Sequence, residues 1–390
     1  MRWGGLYGSA RALAIASAAA EHNGPLLVVA STARDADRLS DELRFFVGAD
    51  TSVLSLPDYE TLPYDVFSPH PDITSRRLAT LAALPGFDRG ILVVAVDALL
   101  MRLPPAHFVA QHTLVLEAGQ RLDLEAFKAR LAAAGYAAVS QVVAPGEFAV
   151  RGSLVDLFPM GAEQPYRIDL FDTDIESIRT FDTDSQRSEG TLERIRLLPA
   201  REFALTPDAI KDFRRRYRQR FEGDVTRSVV YKSFSEGLPT GGIEYYLALC
   251  FDRLDTLFEH LPPATIVFDA CGIESCAALS ARDIAERHEQ RRHDIERPLL
   301  DPAEIFLTVE ELAAAHPEHA DAYVVGVPAD TVAVDSTGLG VPRWYAAHQD
   351  DVLTDPPRSV QTKRGQVVTR QVLAASPGET HEQAMGKLPD

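Results

Sequence analysis

Two textures of hydrophobic patterning divide this chain. Leu26–Ala30 is an unbroken apolar run, as in a strand covered on both faces. Ala33–Phe46 carries Leu39, Leu43 and Phe46 on one side, the spacing of an amphipathic helix, and Thr32 can cap its start. Val53–Leu56 and Gly90–Val96 read as further strands, the latter running into a helix over Ala98–Leu103. Strands alternating with helices predict a parallel sheet covered on both sides. Between them Asp58–Pro71, rich in Pro, Asp and Tyr, reads as an ordered surface loop, and its His70 has no nearby metal partner.

Near His112 the pattern changes. Short strands are predicted at Thr113–Glu117, Ala138–Val143, Phe148–Phe158, Tyr166–Phe171, Ile175–Asp182 and Glu193–Leu198, with one helix over Leu124–Ala134. This is antiparallel α+β texture inserted into the parallel domain. From Arg201 the α/β character returns, with a helix at Pro207–Gly223. Ile243–Leu249 then leads to a helix near Asp252–His260, followed by a buried strand at Thr265–Phe268 and a mixed-charge helix over Ala277–Arg297. Phe213, Tyr217 and Phe221 recur four apart, so the arginines between Arg214 and Arg220 fall outside an apolar stripe and read as a salt-bridged face rather than a nucleic-acid contact. The fold class is therefore α/β, and the expected division is 1–112, an insertion at 113–199, 200–317 completing the first domain, a poorly ordered linker at 318–365, and a truncated start of a further domain at 366–390.

Within the insertion, Arg151–Asp172 reads as a hairpin of Ser153–Phe158 and Tyr166–Phe171 around a turn with Pro159, Gly161 and Pro165. Ile168 and Leu170 point one way, and Arg167, Asp169 and Phe171 the other. A hairpin symmetric about its turn sets Phe171 near Ser153, with Arg151 diagonally beside it. Two Arg and one Phe on one exposed patch have the composition of a protein-binding hot spot. The plainer alternative pairs Arg167 with Asp169 or Asp172 on a solvated sheet face, with Phe171 covering a core edge.

Composition narrows the partners. Apolar residues make up 46% and charged residues 25%, as in globular proteins, and the net charge of −18 argues against a surface that grips phosphate backbones unaided. Cys250, Cys271 and Cys276 are few and odd in number, as in a reducing cytosol, and their spacing matches no common zinc pattern. Asp182, Asp184 and Gln186 match a calcium loop only in part, so a solvated turn is expected. The Ala-rich run at 12–20 resembles a secretory signal, but it is short, weakly apolar, preceded by Arg11 and followed by a buried strand; a helix in a cytoplasmic protein is the reading. No stretch is long and apolar enough to span a bilayer.

The wording RGSLVDLFPMG…PYRIDLFD, with GEFAVRG before it and DTDSQRS after, closely resembles the amino-terminal module of bacterial transcription-repair coupling factors, and UvrB more loosely. The similarity covers roughly residues 1–315, including LPDYETLPYDVFSPHPDITSRRLATLAAL and LPTGGIEYYLALCF. It implies a UvrB-like, degenerate helicase-type domain whose inserted domain recruits UvrA through two Arg and one Phe. Those places match Arg151, Arg167 and Phe171.

The same resemblance puts Gly5, Gly8, Arg11 and Ala12 where a phosphate loop G-x-x-x-x-G-K-[ST] would lie. Ala10 replaces its last Gly, Arg11 its Lys and Ala12 its hydroxyl, and Ala12 cannot ligate magnesium. A motor would end the 265–268 strand with Asp-Glu, whereas here Asp269-Ala270-Cys271 follows, a degenerate Walker B. The implied module is non-catalytic, holds no cofactor or metal, and has UvrA as its partner. ATP, magnesium, RNA polymerase and duplex DNA would be engaged only by family domains beyond these residues. A monomer without membrane contact is expected. Gln366–Ala375 and Glu379–Lys387 resemble the strand and helix that open the next domain, so the chain reads as an amino-terminal fragment or truncated product. The rivals are an active UvrB-type ATP-dependent helicase, and a module whose Arg/Phe face is masked by another domain.

Overall fold

The computed structural model describes residues 2–4, 6, 8–48, 50–262, 264–315, 323–327, 358–361 and 367–370. The first part of the chain runs β1 (Arg2–Gly4), α1 (Ala10–Glu21), β2 (Pro25–Ala30), α2 (Ala33–Phe46), β3 (Val53–Leu56), α3 (Pro71–Ala83), β4 (Gly90–Ala95), α4 (Val96–Leu100) and α5 (His107–Gln111). Thr32 caps α2 by accepting from the Asp35 amide. The helix expected over 98–103 begins at Val96, directly from β4. Nothing in the hydrophobic pattern alone assigned residues 71–83, yet Pro71 in the first turn and buried Ile73, Leu78 and Leu81 make α3. His70 has a structural role there, accepting from the Asp72 amide at the helix start.

The insertion follows: β5 (Leu114–Glu117), α6 (Leu124–Ala133), β6 (Ala137–Ala138), β7 (Glu147–Arg151), β8 (Leu154–Phe158), β9 (Tyr166–Phe171), β10 (Asp174–Phe181), β11 (Ser188–Leu192) and β12 (Arg194–Leu197). Two expectations change here. The single strand at 148–158 is two, folded back at Gly152, whose φ of +63° is left-handed backbone that glycine adopts without strain. The strand at 138–143 contracts to Ala137–Ala138, and Val142 instead packs with Ala149 and Phe181.

The chain then returns through α7 (Pro207–Arg220), α8 (Val229–Ser235), β13 (Ile266–Asp269), α9 (Ile273–Arg291), α10 (Pro302–Ile305), α11 (Val309–Ala315) and β14 (Tyr323–Val327). The mixed-charge helix expected from Ala277 starts a turn earlier, at Ile273. A final pair, β15 (Arg358–Gln361) and β16 (Val367–Arg370), is antiparallel. The rest of the expected linker and the helix over 379–387 lie outside the described residues.

The parallel sheet has the order β1-β14-β13-β2-β4-β3, so strands from before and after the insertion interleave. Helices α1 and α2 cover one face with Ala12, Ile15, Leu39 and Leu43 against Leu26, Val28, Ile91 and Val93. From the other face, a continuous core runs through Leu27, Leu92 and Val94 to Val155, Ile168 and Ile178 of the inserted sheet, whose order is β11-β10-β9-β8-β7-β6. The architecture is a UvrB-like α/β module.

A buried joint fixes the inserted sheet to the parallel one. The Asp58–Pro71 segment is not a surface loop throughout, because Tyr59 and Tyr64 are buried. Arg77 of α3 donates to Glu202 at 2.5 Å and to the Pro57 carbonyl at 2.6 Å, Tyr59 donates to Glu202 at 2.9 Å, and the guanidinium lies 4.3 Å over the Tyr59 ring. The β8–β9 turn is tied down as well, Gly161 donating to Ser75 Oγ at 2.8 Å.

Candidate functional site: the outer face of the inserted sheet

Strand register decides what this face presents. Arg151 pairs with Leu154 and Leu154 with Asp169; one row along, Ala149 pairs with Asp156, Asp156 with Arg167 and Arg167 with Arg179. Since Val155, Ile168, Leu170 and Ile178 face the core, period two sends these charged residues and Phe171 to the opposite side. One end of that outer face is closed by a small apolar cluster of Val142, Ala149 and Phe181. The middle is charged. Phe171 stands at the far end, beside the β7–β8 turn, where the Leu170 amide donates to the Ser153 carbonyl at 3.0 Å.

Asp156 organises the charged middle. Its side chain is 1% exposed, and two guanidinium groups converge on it. Arg167 donates to it from Nε at 2.7 Å and Nη2 at 2.9 Å, and Arg151 donates to the same carboxylate. The remaining donor of Arg167, Nη1, reaches the Gln186 carbonyl at 3.0 Å, and its guanidinium lies 4.8 Å over the Phe181 ring. These Asp156 bonds raise the Arg167 pKa further, fixing its charge. Asp169 is held by Arg179 and by Ser177 Oγ at 3.0 Å.

The three residues that the resemblance singles out thus share one face but not one degree of exposure. Phe171 is 73% exposed and Arg151 half-exposed, while Arg167 is only 14% exposed. The expectation of Arg167 as a freely offered donor is corrected, as is its pairing with Asp169 or Asp172. It lies along the sheet, bound to Asp156. Asp156 itself was missed for a register reason. A hairpin with Phe171 opposite Ser153 puts Leu157 across from Arg167; the actual register is one residue different and puts Asp156 there. The turn at Asp182–Gln186, expected to be a solvated one, is closed by its own bonds, the Ser185 amide donating to Asp182 at 2.7 Å.

The corner where a nucleotide would sit is organised differently. Gly5 lies outside the described residues, and Gly8 has φ +58° with open space around it. Arg11 is bound within the protein, donating to Asp35 at 2.9 Å and the Ala270 carbonyl at 3.3 Å. Ala12 is fully buried. Asp269 faces the start of α9, where it accepts from the amides of Cys271, Gly272 and Ile273 at 3.0, 2.6 and 3.0 Å. That carboxylate closes the turn that leads from β13 into α9.

Fold and face together define a class, a UvrB-like α/β module carrying an inserted interaction domain. The family model of the UvrB interaction domain matches residues 114–203. The transcription-repair-coupling factor of Escherichia coli (strain K12) is 44% identical over 310 residues, 79% of this chain and 27% of that protein. That of Haemophilus influenzae is 40% identical over 311 residues, with the same shares, and that of Bacillus subtilis 28% over 277 residues, 67% of this chain and 23% of that protein. The chain carries the amino-terminal UvrB-homology module of the transcription-repair-coupling factors, and it spans about a quarter of the length of these curated relatives. No helix among the described residues is long and apolar enough to cross a membrane.

Proposed function

We propose that this module recruits UvrA during transcription-coupled nucleotide excision repair, through the outer face of the inserted sheet. The observation that carries the reading is an aromatic ring that stands 73% exposed on the same face as a half-exposed arginine, where the other charges are satisfied internally. An exposed Phe on a rigid strand loses little conformational entropy on docking, so a partner gains nearly the full apolar area of the ring. Arg151 keeps donors free for a partner carboxylate, because only its Nη2 is engaged by Asp156. Arg167 acts at one remove, as the clamp that orients Asp156 and through it Arg151.

We further infer that the module does not hydrolyse ATP. Arg11 and Asp269, the two charged groups at the places of the motor motifs, are bound to the protein itself. ATP-driven translocation on duplex DNA and displacement of stalled RNA polymerase would belong to other parts of a complete coupling factor. The residue division 113–199 for the recruiting domain is part of the same proposal.

The test is a calorimetric titration of purified UvrA against the wild-type chain, Phe171→Ala, Arg151→Ala and Arg167→Lys. Arg167→Glu is unsuitable, since a carboxylate there would face buried Asp156. Binding is expected to weaken most with Phe171→Ala. Unchanged affinity in both Phe171→Ala and Arg151→Ala would remove this face from the interaction.

A further inference from the structure

Arg201, at the exit from the inserted domain, differs from the other arginines. Among the described residues, every other arginine side chain that is not exposed has a carboxylate, carbonyl or hydroxyl partner. Arg77 rests on Glu202, Arg102 on Glu311 and Arg216 on Asp252, while Arg287, Arg291 and Arg297 hold main-chain carbonyls. Arg201 has no hydrogen bond or ion pair among the described residues. Its Nε is buried without a partner, and its guanidinium lies 5.8 Å from the Phe203 ring. A guanidinium does not shed its charge, so burial is not relieved by loss of a proton. An unpartnered buried donor calls for a group from outside.

The arginine is also held in place. Its stem lies against Gly135, where a Cβ would meet Arg201 Cγ at 2.8 Å and where φ is +88°, so both backbone and packing require glycine. Arg201 lines a cleft of about 420 Å3 between the inserted sheet and the parallel-sheet domain, together with Pro145 and Gly146 of the insertion and Pro71, Thr74 and Pro239 from outside it. The carboxylates lining the cleft have other donors. Glu202 takes Arg77 and Tyr59, Glu147 takes the amides of Val143 and Ala144 at 2.8 and 2.9 Å, and Glu244 takes Ser68 Oγ at 2.8 Å. None of them neutralises Arg201 by contact.

We propose that this cleft binds a small organic anion, whose carboxylate or phosphate group docks on the Arg201 guanidinium while its carbon skeleton lies against the proline walls. The planar fork of donors matches either oxyanion bidentately, and the volume is that of a small-molecule site. The proposal does not depend on the outer sheet face being the recruiting surface.

The whole chain is titrated at low ionic strength with succinate and, separately, with glycerol 3-phosphate, and amide shifts are mapped by NMR. At least one probe is expected to bind at one site and to move the amides of Gly135, Gly146 and Thr74. Arg201→Gln is expected to weaken that binding by about tenfold or more, and Arg201→Lys by less. The two probes separate a carboxylate ligand from a phosphate ligand. Absence of saturable binding by both, perturbation confined to other residues, or equal binding by Arg201→Gln would overturn the proposal. The wild-type shift map decides even if Arg201→Gln does not fold.

Discussion

The outer face of the inserted sheet and the corner at Arg11 and Asp269 use the same side chains to opposite ends. In the corner each charge is bound to the protein: Arg11 to Asp35 and a carbonyl, Asp269 to three amides at the start of α9. On the sheet face the charges are also paired, but two guanidinium groups share one carboxylate, and an exposed phenylalanine stands on the same face. Pairing of charges therefore does not separate the two regions. What sets the sheet face apart is what is left over there: donors on Arg151 and the exposed ring of Phe171.

The largest effect expected is at Asp156. Asp156→Ala leaves Arg167, mostly buried, without its two strongest bonds, and unfolding in urea should lose about 3 kcal/mol. Amide exchange should accelerate first in β8 and β9 if the clamp holds the face together. A loss below about 0.5 kcal/mol, the scale of an ordinary surface change, would mean that the core side of the sheet alone sets the geometry. In the other region, Asp269→Ala removes the acceptor of three amide bonds in the β13–α9 turn and should cost about 2 kcal/mol, with no change in nucleotide affinity. An intact stability there would undo the reading of Asp269 as structural.

Those two aspartates also show what was legible in the sequence and what was not. Continuous apolar runs gave β2, β4 and β13 to within a residue, because buried parallel strands leave no polar interruptions. The alternation in Tyr166–Phe171 correctly assigned both faces of β9. Register was not legible: the seven residues between Phe158 and Tyr166 permit more than one pairing, and a shift of one exchanges Asp156 for Leu157 opposite Arg167. Motif reading told that Asp269 lacks its catalytic neighbour but not that it holds the turn into α9, since that depends on the backbone turning at Cys271 and Gly272. The buried Tyr59–Arg77–Glu202 joint was hidden for a related reason, as Glu202 lies more than a hundred residues from both partners.

On the sheet face, Phe171→Ala should weaken UvrA association by about 2 kcal/mol, roughly thirtyfold, while stability changes by no more than about 0.5 kcal/mol, because the ring covers no core. A large stability loss with unchanged binding would reverse the comparison and make Phe171 a structural residue. Arg151→Ala should cost about 1 kcal/mol of binding, read by the same titration, and this loss should shrink as salt rises. Salt-independent loss would argue for contact through its aliphatic stem instead.

The smallest expected effect is a null one, and it tests the corner directly. Arg11→Lys restores the residue type that a phosphate loop uses, yet nucleotide affinity should stay undetectable in a titration with a fluorescent ATP analogue. Lys retains the charge next to Asp35 but not the second bond to the Ala270 carbonyl, so stability should fall by about 0.5–1 kcal/mol at most. The physical reason for the null is that one ammonium cannot assemble a site. Ala12 still supplies no hydroxyl for a metal, and Asp269 still faces the amides of α9 rather than an open cleft. If micromolar affinity nevertheless appeared, the corner would be one substitution from function, and its contrast with the sheet face would be a matter of degree.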